Sequence, residues 1–233
     1  MTTSSYQLRR SQLLTYFDRT AVDAWARLTT DAPVSGIRAT VRAGRDEMRA
    51  TLLGWLPQDL RGCRLLDAGC GTGALAVEAA KRGADVVAID LSPTLVGLAQ
   101  ERLPADLGPG RITFKSGDML DPALGCFDYV VAMDSLIHYT APDIARVLSG
   151  FAARTAGSVL FTFAPRTTAL AAMHTVGKLF PKSDRAPAIE PVAEQQLKRL
   201  IIDSPDLSEW MAARSKRVAR GFYTSQAMEL RRP

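Results

Sequence analysis

The sequence predicts an α/β fold: a mostly parallel, doubly wound sheet preceded by helices and carrying an inserted helical lid. Three observations carry that expectation. From residue 61 onward, short apolar runs alternate with helical stretches, the order that sets parallel strands between crossover helices. A glycine-rich turn, Gly69-Cys70-Gly71-Thr72-Gly73, follows the first of those runs. An acidic residue, Asp90, closes the second.

The elements follow in order. The first 56 residues read as helical. Leu13, Leu14, Phe17, Ala21, Trp25 and Leu28 recur at spacings of one, three or four, until Thr29-Thr30-Asp31-Ala32-Pro33 breaks the run. A second helix sets Ile37, Val41, Gly44, Met48, Leu52 and Trp55 along one face and ends at Pro57. Residues 1–60 are therefore expected to form a helical cap, and residues 61–233 the main domain.

In that domain, strands are expected at Arg64–Ala68, Asp85–Asp90, Arg111–Lys115, Phe127–Met133 and Ser158–Phe163. Helices are expected at 74–82, after the Ser92-Pro93 cap, and from Pro142 to about Ala153. Residues 165–191 hold four prolines and break the alternation. They read as a lid over the sheet's carboxyl edge, with an amphipathic helix at Ala169–Phe180. A helix near Ala193–Ile202 and two strands around a turn near Ser225 complete the chain.

Bulk properties narrow the function. Apolar residues make up 47% and charged residues 23%, the balance of a chain able to bury a core. No run approaches the roughly 18 apolar residues of a membrane span, and the first residues form no apolar signal segment. A cytoplasmic protein is the expectation. Cys63, Cys70 and Cys126 show no CxxC spacing, and His138 and His174 no HxxxH or HExxH spacing, so no zinc site or histidine-rich metal centre is expected. The net charge is +4 over residues 1–64, −4 over 65–165 and +5 over 166–233. The basic residues are dispersed and aromatics are only 7%, which argues against a nucleic-acid surface.

The strongest local signal is Asp67-Ala-Gly69-Cys-Gly71-Thr-Gly73, between a strand and a helix. Glycines there let the backbone turn tightly and meet a ligand closely. The spacing is GxGxG, which fits the dinucleotide fingerprint poorly, and the lysine of a phosphate-binding loop is missing. Asp90, 17 residues after Gly73, can accept both ribose hydroxyls of a nucleoside.

Together Asp67, Gly69, Gly71, Gly73 and Asp90 resemble the class I S-adenosylmethionine (SAM)-dependent methyltransferases over about residues 60–164. The resemblance implies a Rossmann-like methyltransferase fold with SAM as cofactor. It also implies an adenine contact at Asp118, with Leu91, Met119 and Asp134 as further cofactor contacts.

His138 follows the fourth strand, where ligands bind in open α/β sheets. It is the catalytic candidate, as a base or as a group that orients an oxygen nucleophile. Tyr16–Trp25, Val41–Arg45, Met133-Asp-Ser-Leu-Ile-His-Tyr139, Phe161–Pro165 and Gly221–Ser225 are similar to the magnesium-protoporphyrin IX O-methyltransferases of bacteriochlorophyll biosynthesis.

That resemblance implies methylation of one propionate of magnesium-protoporphyrin IX. The products would be the monomethyl ester and S-adenosylhomocysteine (SAH). It also implies a transient contact with the porphyrin-binding subunit of magnesium chelatase, and a place peripheral to the photosynthetic membrane. Tyr16 and Arg42 are candidates for the cofactor's carboxylate end; Arg42 belongs to a stripe with Arg38, Arg45 and Arg49. For the porphyrin, the lid offers Met173, Val176 and Phe180, with Arg166 supplying charge. Plant and cyanobacterial relatives tend to carry a tyrosine just after the Trp25-like position. Here the segment reads Ala26-Arg-Leu-Thr-Thr30, which puts more weight on His138. Other readings are a methyltransferase for a quinone or phenol, an RNA-modifying enzyme, and a non-catalytic cofactor-binding scaffold.

Overall fold

The structure, a computed structural model, describes residues 5–19, 36–166 and 188–233. Two helices precede the sheet, α1 (Ser5–Arg19) and α2 (Ile37–Trp55). Strands and helices then alternate: β1 (Arg64–Ala68), α3 (Ala74–Lys81), β2 (Asp85–Asp90), α4 (Pro93–Glu101), β3 (Arg111–Ser116), β4 (Phe127–Ala132), α5 (Ala141–Ala152) and β5 (Thr155–Phe163). The chain ends with α6 (Glu194–Ile202) and the strands β6 (Met211–Arg220) and β7 (Tyr223–Arg231).

The sheet runs β3-β2-β1-β4-β5-β7-β6. The first five strands pair in parallel, and β7 is antiparallel to both β5 and β6. The chain winds outward from β1 to β2 and β3, then returns to start β4 on the other side of β1. The carboxyl ends of β1 and β4 therefore part, and a crevice opens between them.

Side-chain alternation explains why β1, β2, β4 and β5 are strands buried on both faces. Leu65, Val86, Ala88, Val131 and Leu160 face one core, built with Met48 and Leu52 of α2 and Leu75 and Ala79 of α3. Leu66, Val87, Ile89, Val130, Val159 and Phe161 face the other, built with Ile144, Leu148 and Phe151 of α5 and Leu197 of α6. Local caps fix the helix starts. The Ser92 hydroxyl accepts from the Leu95 N–H at 3.2 Å, with Pro93 opening α4. Thr140 accepts from the Asp143 N–H at 3.4 Å and starts α5. Each such cap is worth about 1 kcal/mol.

The expected strands and helices of residues 61–163 form within a few residues of their sequence bounds. One expectation is corrected. The terminal hairpin turns at Gly221-Phe222, and Ser225 lies inside β7, paired with Val218. Gly221 adopts φ 55°, which favours glycine, and Ser225 has no such need in an extended strand. The expected helix Ala169–Phe180 lies outside the described residues. The two ends of that insertion are stitched together: Val192 N–H donates to Ala164 O at 2.8 Å, and Arg166 N–H to Val192 O at 2.9 Å. Among the described residues, no helix is long and apolar enough to cross a membrane.

Candidate active site

The crevice at the carboxyl ends of β1 and β4 encloses about 720 Å³ of space, part of it open to solvent, the size range of small-molecule sites. Gly69, Cys70 and Gly71 form its floor, and Asp90, Leu91 and Leu95 one end. Arg45, Met133, Asp134, Ser135 and His138 form the other end, and Gly117 and Met119 a side wall. Tyr6, Leu13 and Phe17 of α1 close the top.

The floor is a turn only glycine builds readily. Gly69, Gly71 and Gly73 have φ of 84°, 54° and 80°, left-handed values that cost an L side chain roughly 1–2 kcal/mol each. At Gly69 an added Cβ would also overlap Ser135 Cβ. Asp90 locks the turn: Oδ2 accepts from Gly71 N–H at 2.8 Å and Oδ1 from Ser92 N–H at 2.9 Å. Burial pushes the Asp90 carboxyl upward, and the N–H groups of Ser92, Gly71 and Leu91 oppose that shift. Asp67 lies beneath the turn. Burial, with help from Asp90, pushes it up to about 7, and its Oδ2 is buried without a hydrogen-bond partner.

At the other end, Asp134 has φ 55°, the one positive value for a non-glycine among the described residues. Its carboxylate is nearly buried and crowded with donors. Arg45 Nη1 reaches Oδ2 at 2.7 Å. The Tyr223 hydroxyl lies 3.0 Å from Oδ1 and 3.2 Å from Oδ2. Thr162 and Ser225 hydroxyls donate to Oδ1 at 3.3 Å. The backbone N–H of Asp134 donates to Thr162 Oγ1 at 2.7 Å. Burial and the neighbouring Asp134 charge raise the Tyr223 phenol.

His138 is a buried lining residue of the crevice, edge-on to the Phe17 ring at 6.0 Å. Its Nδ1 lies 3.4 Å from the Ala188 carbonyl oxygen. A carbonyl can only accept, so in that contact the proton sits on Nδ1, and Nε2 of the neutral ring is an acceptor.

Of the residues singled out from the sequence, the crevice gathers Gly69, Gly71, Asp90, Leu91, Met119, Asp134 and His138. Gly73 caps α3, and Asp67 sits below the floor. Asp118 is not on the crevice wall: its carboxylate takes the Tyr6 hydroxyl at 2.7 Å, Leu120 N–H at 2.9 Å and Arg10 at 3.1 Å. Tyr16 packs edge-on against Phe17 outside the crevice. Arg42 is not a lining residue, whereas Arg45, on the same helix, is. Arg166 is exposed and off the wall. Met173, Val176 and Phe180 lie outside the described residues.

Sequence reasoning missed Tyr6, Arg45, Met133, Ser135 and Tyr139 as lining residues. The signal for Tyr6 was present: it lies seven residues before Leu13, on the same apolar face.

The donor set fits a nucleoside with an amino-acid tail. Ser135 Oγ is buried in the crevice wall without a partner, the usual mark of a polar group meant for a ligand. Asp90 ends β2 and Arg45 is held by Asp134 just past β4, on the two sides of β1, and both line the cavity. Apolar Leu13, Ile89, Leu95 and Met119 lie along the walls.

This fold, its switch-point crevice and its GxGxG floor define a class I SAM-dependent methyltransferase. The "Methyltransferase domain" family matches residues 65–156, and the family "Magnesium-protoporphyrin IX methyltransferase C-terminus" matches residues 132–232. The chain is 55% identical to the magnesium-protoporphyrin O-methyltransferase of Rhodobacter capsulatus, over 98% of this chain and 99% of that protein. It is 30% identical to the Synechocystis enzyme of the same name, over 92% of each chain. The crystal structure of the Synechocystis magnesium protoporphyrin IX methyltransferase with bound SAH superimposes with a TM-score of 0.83 at 28% identity, covering 96% of this chain and 100% of that one. The chain belongs to the magnesium-protoporphyrin O-methyltransferase family.

Proposed function

We propose that the chain transfers the methyl group of SAM to one propionate carboxylate of magnesium-protoporphyrin IX, giving the monomethyl ester and SAH. One observation carries this reading. The glycine floor, Asp90 and His138 share a single crevice in a chain that matches the Rhodobacter enzyme along its whole length.

When bound, SAM supplies a methyl group already activated on a sulfonium. A propionate is ionised near neutral pH, so its oxygen is a nucleophile without the help of a base. The chain's own work is to bind, align and exclude water. In this reading Asp90 accepts the ribose hydroxyls on lone pairs not used by Gly71 and Ser92. Leu91, Leu95 and Met119 flank the adenine. Arg45, the one Lys or Arg among the described lining residues, receives the cofactor's carboxylate, and Ser135 Oγ contacts the same end.

His138 meets the propionate. With Nδ1–H directed at Ala188, Nε2 donates to a carboxylate when the ring carries both protons. His138 is thus a positioning residue for the propionate. We take residues 1–60 as a cap and residues 165–191 as a lid, with Arg166, Met173, Val176 and Phe180 facing the porphyrin.

The same reading places the protein in the cytoplasm, peripheral to the photosynthetic membrane. It takes its substrate from the porphyrin-binding subunit of magnesium chelatase; cross-linking of the two purified proteins would test that handover.

The direct test is incubation with SAM and magnesium-protoporphyrin IX, followed by chromatography and mass spectrometry. The expected result is one added methyl per porphyrin with stoichiometric SAH. Binding of SAM without any ester would remove the porphyrin assignment and leave the methyltransferase fold.

A further inference from the structure

Asp134 stands where a cofactor contact was expected, yet protein donors already occupy both of its oxygens. Arg45, Tyr223, Thr162 and Ser225 all point at this one carboxylate. A carboxylate has about four lone-pair positions, so Asp134 has little capacity left for a ligand. What it holds instead is the guanidinium of Arg45, a lining residue held just past β4, on the other side of β1 from Asp90 at the end of β2.

Tyr223 is the remote member of this set. It opens β7, and its ring packs under α2 where Gly44 provides the space: a Cβ at Gly44 would overlap the ring. From there its hydroxyl reaches Asp134. The hairpin also grips α2 along its length. Arg220 pairs with Glu47 at 2.7 Å, Phe222 N–H with Thr40 Oγ1 at 3.4 Å, and Lys216 with Thr51 Oγ1 at 3.1 Å. The carboxyl-terminal hairpin therefore sets where α2 lies, and through Asp134 it sets where the Arg45 guanidinium points.

We propose that Tyr223 is a positioning residue for the amino-acid end of the cofactor: through Asp134 it fixes Arg45 to receive the cofactor's carboxylate. The inference rests on the reading that Arg45 meets that carboxylate. Tyr223 is not itself a lining residue and meets the crevice through Asp134; its effect is on the geometry of a charge-assisted pair, which is strongly directional.

The test compares two ligands on the full-length protein. SAH carries the carboxylate; 5′-methylthioadenosine keeps the nucleoside and lacks the amino-acid tail. Titration calorimetry on Tyr223→Phe, which keeps the ring beneath Gly44, should show SAH binding about tenfold weaker and methylthioadenosine binding within about twofold of the parent. Equal weakening of both ligands would assign Tyr223 a merely structural role and overturn the proposal. So would no weakening of either.

Arg45→Gln separates the two levels. If it loses the preference for SAH while Tyr223→Phe does not, Arg45 binds the carboxylate without help from Tyr223. If it keeps the preference, the carboxylate reading itself fails. Should Tyr223→Phe not fold, Asp134→Asn breaks the same link with a residue that tolerates positive φ. Selective loss of SAH binding supports the proposal there, and uniform loss or no loss overturns it.

Discussion

The hydroxyl of Tyr6 donates to the Asp118 carboxylate at 2.7 Å, across 112 residues of sequence, and so fastens the first helix to the loop after β3. The same helix reaches Asp143 through Ser5 at 2.6 Å, Glu190 through Arg9 at 2.8 Å and Thr94 Oγ1 through Asp18 at 2.8 Å. Its inner face, Tyr6, Leu13 and Phe17, roofs the crevice. Among the described residues, α1 is thus held against the crevice by polar ties at both ends, with an apolar stripe between them.

Tyr6→Phe would keep the stack on Tyr139, now at 5.3 Å between ring centres, and remove the donation to a charged acceptor. Such a bond is worth about 1.5–3 kcal/mol. Hydrogen exchange at residues 5–19 should therefore accelerate roughly 10- to 100-fold, while exchange in β1 and β4 stays unchanged. Uniform acceleration across the chain, or none in α1, would mean that Tyr6 does not set the docking of this helix.

Gly69→Ala adds a methyl group that meets Ser135 Cβ at a backbone φ of 84°. Backbone strain of about 1–2 kcal/mol and overpacking of about 1–3 kcal/mol both oppose the native turn. Stability should fall by about 2–5 kcal/mol, and SAH binding should become undetectable by calorimetry. Gly54→Ala, on the exposed side of α2 with nothing within 4 Å, should instead be neutral or stabilising, because alanine is the better helix former. Equal stability of the two variants in urea unfolding would contradict the role assigned to the floor.

Much of the fold was legible from sequence, because β1, β2, β4 and β5 alternate onto two cores and the glycine turn follows the first of them. Asp90 and His138 were singled out because a strand end in an open α/β sheet is where ligands bind, and both line the crevice. Arg42 was preferred for its place in the Arg-x-Gly segment, and spacing alone does not separate it from Arg38, Arg45 and Arg49 on one helical stripe. Arg45 is the member of that stripe that lines the crevice, held by Asp134, 89 residues away, a tertiary contact that no local pattern encodes. Motif position, which made Asp118 an expected adenine contact, says nothing of Tyr6 and Arg10, which reach its carboxylate from α1. Tyr223 stood out only as part of the family-like segment Gly221–Ser225; the partner of its hydroxyl is set only once β7 has been placed beside α2.

Asp67 gives the chain a pH dependence of definite sign. Its folded carboxyl is held at about 7 by burial and by Asp90, against an ordinary 3.8. Between those values the folded state keeps a proton that the unfolded state has lost, so stability falls as pH rises through this window. Asp67→Asn cannot lose that proton. The melting temperature of the variant minus that of the parent should therefore rise from about pH 5 to about pH 8. A difference that stays flat across the window would show that Asp67 is ionised throughout.

His138 has two possible contributions to methyl transfer, and they differ in size. A general base typically contributes 10²–10⁴-fold, but an ionised propionate has no proton to remove. A positioning contact to a charged acceptor is worth about 1.5–3 kcal/mol, or roughly 10- to 150-fold. His138→Ala should therefore lower kcat/KM for the porphyrin by about 10- to 100-fold and leave the Kd for SAH within about twofold. His138→Asn, which can still donate one hydrogen bond but carries no charge, should fall between parent and Ala. A loss of 10⁴-fold or more in steady-state assays would instead point to proton transfer. The reacting group would then have to be something other than an ionised carboxylate, and a phenolic acceptor would become the better substrate to try.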